Sequence, residues 1–243
     1  MRILITNDDG INAPGIRALA DFAKGFGEVT VIAPKVEQSG KSQAIDFVSP
    51  IEIVEADIGI GVRAFSVDST PADCVRFGLD GLKEQFDLVL SGINRGVNLG
   101  ADIVYSGTVG AIFEAARQGV LGIAVSTYPD TLAEAELELE RVFGFIKENR
   151  LLDKAMLYNV NIPPSPKGIR ITKQGSPYFS DEFRRLDEKT YLQMGSMLPD
   201  TDPSDTDRDT VSLGAGYISI TPLSVNRTDM RAFSELGRLS FDF

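Results

Sequence analysis

The sequence predicts an α/β protein, a three-layer fold built on a mostly parallel sheet, and three observations lead there. Up to about residue 165 the hydrophobic period alternates between strand-like and helix-like, as successive strand–helix units require. The apolar run Arg2-Ile3-Leu4-Ile5-Thr6 passes straight into Asn7-Asp8-Asp9-Gly10, so two adjacent carboxylates stand where a first strand should end. A second polar and glycine-rich segment, Ser91 to Gly110, also starts at a strand end and runs into a helix. Ligands of open α/β sheets bind outside the carboxyl ends of the strands, so both segments fall where such a fold does its chemistry.

The elements follow in order. Pro14-Gly15 opens a helix expected to run to about Phe26, and Glu28 to Ala33 is a second buried strand. A long loop spans 34–50, and short strands are expected around Ile51 to Glu55 and Val62 to Ser66. Thr70-Pro71-Ala72-Asp73 has the signature of a helix start: a capping hydroxyl, proline at the first position and an acid three residues on. Phe86 to Ser91 and Gly122 to Ser126 read as strands with a helix between them. From Leu132 to about Glu148, residues Leu132, Ala135, Leu139, Val142 and Ile146 share one helical face, with Glu134, Glu136, Glu138 and Glu140 on a solvated one. Beyond Tyr158-Asn-Val-Asn-Ile-Pro-Pro the pattern changes to strands separated by polar stretches, with a charged segment from Asp181 to Lys189. We read one domain over 1–243, with a catalytic core of about 1–165 and an extension of about 166–243 suited to exchange between subunits.

Composition narrows the chemistry. At 243 residues, 43% of them hydrophobic, the chain can bury a full core. A formal net charge of −11 argues against duplex nucleic acid or an anionic membrane as partner, because both need basic footprints. The first residues lack a secretory-signal layout and no apolar run approaches the roughly 18 residues of a membrane span. A soluble, cytoplasmic protein is therefore expected. Cys74 is the only cysteine and histidine is absent, which leaves carboxylates, amides, hydroxyls and backbone as candidate ligands and bases. Cys74 itself reads as a small buried apolar residue.

Two adjacent carboxylates repel, and a hard divalent ion is the simplest compensation for Asp8 and Asp9. Asn-Asp-Asp-Gly is equally good turn chemistry, and the residues alone leave both readings open. In the second segment Gly92, Gly96 and Gly100 permit close backbone approach, while Asn94 and Asn98 offer carbonyl ligands or amide donors. Ser106-Gly107-Thr108 opens the following helix, either as an anion site or as simple N-capping. Other motifs fail. Gly40-Lys41-Ser42 lacks the first glycine of a P-loop, where Lys35 stands. Asp205-Thr-Asp-Arg-Asp209 lacks the glycine and glutamate of an EF-hand and reads as a solvated acidic loop. No Gly-x-Gly-x-x-Gly follows the first strand, so no dinucleotide cofactor is expected.

Met1 to Gly10, Ala33-Pro34 through Gln38-Ser39-Gly40, Thr70-Pro71-Ala72-Asp73-Cys74 and Ser91 to Gly110 resemble the SurE family of stationary-phase survival proteins, metal-dependent nucleotide phosphatases. Asn159-Val-Asn-Ile-Pro163 and Gly216 to Pro222 extend the likeness toward the C-terminus. The resemblance implies a Rossmann-like fold and hydrolysis of nucleoside 5′-monophosphates, with 3′-monophosphates as further substrates. It implies one divalent ion (Mg²⁺, Mn²⁺ or Co²⁺) on Asp8, Asp9, Ser39 and Asn94, with Asp8 or Asp9 as general base. Asn98, Ser106, Gly107 and Thr108 would lie close to the phosphate. It also implies a homodimer or homotetramer built through a hairpin within 176–209. The chain departs from the pattern at Gln43-Ala44-Ile45-Asp46, where the family more often has His/Asn-Ser-Leu/Ile-Thr. A regulatory nucleotide-binding module without turnover is the competing class, and multiple-turnover phosphate release separates the two.

Overall fold

A computed structural model describes residues 1–237. Eleven strands and six α-helices succeed one another as β1 (Arg2–Thr6), α1 (Pro14–Ala23), β2 (Glu28–Pro34), β3 (Ile53–Ala56), β4 (Arg63–Val67), α2 (Pro71–Arg76), β5 (Leu88–Arg95), α3 (Gly107–Arg117), β6 (Leu121–Thr127), α4 (Leu132–Glu148), β7 (Leu157–Ile162), β8 (Ile169–Ile171), β9 (Glu182–Arg185), β10 (Tyr191–Met194), α5 (Asp209–Gly214), β11 (Ile218–Leu223) and α6 (Met230–Leu236). Nine strands form one sheet in the order β3-β4-β2-β1-β5-β6-β7-β11-β8, and β9 and β10 pair separately. From β4 to β7 all neighbours are parallel, whereas β3 and β11 run antiparallel to β4 and β7.

Three layers follow from the strand sequences. β1 is buried on both faces, so Ile3 and Ile5 pack toward α1 and α4 while Leu4 packs toward α2 and α3. On the first side Ile16 and Leu19 of α1 meet Leu139, Val142 and Ile146 of α4, the face expected from helical spacing. On the other side Cys74 and Val75 of α2 meet Ala111 and Ala115 of α3. Cys74 is fully buried and burial holds its thiol well above the usual range, which leaves it an inert packing residue.

Differences from the expected elements have local causes. α1 ends at Ala23 rather than near Phe26, because Gly25 and Gly27 follow and Gly27 sits so close to Met1 that a Cβ would fall 1.9 Å from its carbonyl oxygen. β5 runs on past Ser91 to Arg95, through a register shift between Ser91 and Asn94, so Asn94 is a strand residue. Gly92 allows that bulge: its φ is +134° and a Cβ there would lie 2.2 Å from the Val125 carbonyl oxygen. The acidic segment ending at Asp209 is not wholly solvated either. Asp209 is 1% exposed and accepts three backbone N–H bonds, from Gly100 (3.0 Å), Gly175 (2.8 Å) and Thr210 (2.8 Å). Among the described residues no helix is long and apolar enough to cross a membrane.

The chain winds outward from β1 through β2 to β4 and then returns to place β5 on the other side of β1. The crevice between β1 and β5 is therefore the topological switch point, where α/β sheets bind ligands.

Candidate active site

Asn7 builds the turn at the end of β1. Its fully buried side chain donates to the Gly10 carbonyl (2.9 Å) and accepts the Gly10 N–H (3.2 Å), closing the turn without using either aspartate. Turn chemistry and ligand chemistry thus coexist on different residues. Asp8 is 6% exposed, and its Oδ1 accepts the Thr108 hydroxyl at 2.6 Å from the N-terminal turn of α3. Burial pushes its carboxyl up to about 6, against the Thr108 hydrogen bond and with help from the neighbouring Asp9 charge. Asp9 is half-buried and accepts the Arg95 backbone N–H at 3.2 Å. Its carboxyl is also raised, chiefly by burial, with the Arg95 bond opposing and Glu37 adding.

The loop after β2 is fastened beside them. Gln38 donates its N–H to the Asp8 carbonyl (2.7 Å), and the Ser39 hydroxyl donates to Glu37 (2.5 Å), leaving the Ser39 oxygen to act as an acceptor or ligand. Farther along, Ser42 donates from both its N–H and its hydroxyl to the backbone of Tyr105 and Val104 (3.0 and 2.6 Å). Gln43, in the segment that departs from the family pattern, donates to the buried Glu114 on α3 at 2.9 Å. The departure therefore acts as an anchor between the Ser39 loop and α3. From β5, Asn94 donates its amide to the Gly96 carbonyl (2.7 Å), which fixes the side chain and leaves its Oδ1 as the oxygen for a ligand.

Asp8, Asp9, Ser39, Asn94, Asn98 and Ser106 all line one cavity of about 810 Å³. Gly107 and Thr108 sit behind Asp8 and do not line it. Gly107 is there because a Cβ would lie 2.9 Å from the Asp8 Cβ and 3.0 Å from its Oδ2. Ser106 is the N-cap, accepting the Val109 N–H at 3.1 Å, and its hydroxyl hydrogen remains for the cavity. The Thr108 hydroxyl, expected near the phosphate, donates to Asp8, because the second residue of α3 points at the end of β1.

Asn98 is held more tightly than its sequence suggests. Its N–H donates to Asn161 Oδ1 (2.8 Å), its carbonyl accepts from Asn159 and Asn161 (2.8 Å each), and one hydrogen of its amide goes to Ser126 (2.8 Å). The other amide hydrogen is left for the cavity. Asn159 and Asn161 had no role in the sequence reading beyond the family likeness. Their signal was present: two amides at period two on one face of a wholly buried strand, with Val160 on the other.

These donors suit a hard divalent ion. Asp8 and Asp9 are carboxylates without an ion pair among the described residues, and Ser39 and Asn94 add neutral oxygens. Among the described residues no three His, Cys, Asp or Glu side chains cluster as a metal site, so the set fits only if the neutral oxygens and water complete it. Four aromatic side chains, Tyr105, Tyr128, Tyr178 and Phe179, also line the cavity.

Fold and site together define an α/β protein with an oxygen-donor site at the switch point of its sheet, facing the start of a helix. Residues 3–181 match the model of the family described as Survival protein SurE, and the chain belongs to the SurE family. The 5′-nucleotidase SurE of Syntrophotalea carbinolica is 39% identical over 252 residues, covering 100% of this chain and 99% of that protein. The 5′-nucleotidase SurE of Thermosipho africanus is 40% identical, covering 94% and 93%. The crystal structure of the SurE protein from Aquifex aeolicus superposes with a TM-score of 0.79 at 30% identity, covering 97% of this chain and 98% of that one.

Proposed function

We propose that this chain is a metal-dependent phosphomonoesterase that hydrolyses nucleoside 5′-monophosphates to nucleoside and phosphate. The observation that carries the reading is the adjacent carboxylates at the switch point, Asp8 buried and Asp9 half-buried, with no ion pair among the described residues, on the wall of a nucleotide-sized cavity. The curated relatives, named 5′-nucleotidases over their whole length, support the same chemistry.

Asp8, Asp9, Ser39 and Asn94 would hold one divalent ion, Mg²⁺, Mn²⁺ or Co²⁺, which when bound supplies Lewis-acid polarisation of the phosphoryl group and of the attacking water. Asn98 and Ser106 donate to the phosphoryl oxygens as charge develops on them. Thr108 orients Asp8, and Gly107 lets Asp8 approach α3. Asp9, the more open carboxylate, takes the proton from water as the water oxygen bonds to phosphorus. The bond to the ribose oxygen breaks, and that oxygen takes a proton from solvent. Residues of about 166–243 serve assembly as a dimer or tetramer, around a core of about 1–165.

The test is phosphate release from nucleoside 5′- and 3′-monophosphates with each ion and with chelator. Turnover should require an ion and should be lost in Asp8→Asn and Asp9→Asn, with calorimetry showing weakened ion binding in both. Undiminished turnover in either variant, or in excess chelator, overturns the assignment.

A further inference from the structure

The aromatic side of the cavity has no part in phosphoryl transfer, and one carboxylate outside the metal set holds it in place. Asp102 lies in the 3₁₀ turn Gly100–Tyr105, and its Oδ2 accepts the backbone N–H groups of both Tyr178 and Phe179, each at 2.8 Å. The two residues come from the far C-terminal side of the sequence. Further backbone bonds brace them: Leu198 donates to the Tyr178 carbonyl (2.8 Å) and Ser180 to the Ser196 carbonyl (2.9 Å). The rings meet edge to face with centroids 5.0 Å apart, so each fixes the other. Phe179 nonetheless stays 45% exposed, as does Tyr105 at 61%, and both line the cavity. An exposed, oriented ring beside a phosphate site is a stacking surface.

The charge around it limits what can stack. Among the described residues Arg95 is the only Lys or Arg lining the cavity, whereas Glu37, Asp102 and Asp181 line it too. A polyphosphate chain would meet acid there; an uncharged planar ring would meet aromatic surface.

We infer that Phe179, held by Asp102, is the platform on which the nucleobase of a monophosphate substrate stacks, and that Asp102 is a positioning residue for substrate selection. The inference rests on the nucleotide reading above and names how that site distinguishes nucleotides from simple sugar phosphates. Asp102 acts through the backbone of the platform, whose two N–H groups it accepts.

The experiment compares adenosine 5′-monophosphate with ribose 5-phosphate in wild type, Asp102→Ala, Asp102→Asn and Phe179→Ala, by steady-state kinetics and by equilibrium binding. Wild type should favour the nucleotide, and Phe179→Ala should raise its KM about tenfold, the loss of one base–aromatic stack, while ribose 5-phosphate is unaffected. Asp102→Ala should match Phe179→Ala, with kcat held within about twofold. Asp102→Asn keeps a carbonyl oxygen for the two N–H groups and should retain the wild-type KM. Unchanged nucleotide binding in Phe179→Ala, or equal losses on both substrates in Asp102→Ala, overturns the platform. Absence of turnover on both substrates in wild type overturns the hydrolytic reading instead, and the binding comparison still decides the platform.

Discussion

Asp8 carries the largest electrostatic cost in the site. Its carboxyl is raised to about 6 because burial disfavours the charged form more than the Thr108 hydrogen bond favours it. Between the ordinary carboxylate value of 3.8 and about 6, the folded ion-free protein holds a proton that the unfolded chain has released. Stability therefore falls as pH rises through that window, and above it the full penalty stands, on the order of 3 kcal/mol. Asp8→Asn should accordingly raise the thermal midpoint in chelator at pH 8 and change it little below pH 4, while removing turnover. A midpoint in chelator that does not differ between the two proteins at pH 8 would contradict the burial argument. Adding Mg²⁺ or Mn²⁺ should then raise the wild-type midpoint and leave that of Asp8→Asn nearly unmoved.

Ser106 and Thr108 can be separated at the same scale. Ser106 caps α3, so Ser106→Ala should cost about 1 kcal/mol of stability. Thr108 bonds Asp8 and caps nothing, so Thr108→Val should lower turnover roughly tenfold to a hundredfold, as loss of one hydrogen bond to a charged group does. A normal turnover with a lowered midpoint in Thr108→Val would return its hydroxyl to a packing role.

At the scale of elements, the strongest support for the site comes from β7, whose Asn159 and Asn161 hold the Asn98 backbone from the neighbouring strand region. Asn161→Ala leaves the Asn98 N–H without its partner and should cost about 1–3 kcal/mol, with turnover falling because Asn98 is no longer fixed. Denaturant unfolding and saturating kinetics on the same variant measure both. What was legible in the sequence follows the same division. β1, β2, α3 and α4 could be read because their apolar periods are long and their ends carry turn or cap chemistry. The candidate residues at strand ends, Asp8, Asp9 and Asn94, stood out for the same reason. Asp102, Gln43 and Asp209 were not, because each acts on backbone far along the chain, and no local pattern encodes a bond from Asp102 to Tyr178 or from Asp209 to Gly100. Ser39 stood out only by family likeness, since an exposed serine in a long loop looks like any other until Gln38 is seen bound to Asp8.

For the whole molecule, the proposed assembly centres on β9 and β10. Their two-stranded sheet has every residue exposed, including Phe183, Tyr191 and Leu192, and an isolated hairpin is at best marginal in water. α6 likewise exposes Met230, Phe233 and Leu236. A second copy of the chain is the occupant proposed above, so sedimentation at micromolar concentration should give a dimer or tetramer, and Phe183→Asp with Tyr191→Asp should shift it toward monomer. A fully active wild-type monomer would remove the exchange hypothesis.

The seat of β11, antiparallel to β7 and parallel to β8, also bears on how the molecule is made. β8 joins the sheet only through β11, although its own residues precede those of β11 by about fifty positions in synthesis order. A nascent chain that has emerged through β8 thus carries an orphan strand and an uncovered β7 edge until Ile218–Leu223 arrives. Asp209, which ties Gly100 and Gly175 together, arrives in the same late stretch. Ribosome-bound chains arrested before β11 emerges should be cut readily by protease within 96–106 and 165–180, and chains arrested after it should resist. Vectorial synthesis would then keep the cavity wall built on Gly100 and Gly175 unfinished until Asp209 and β11 have emerged.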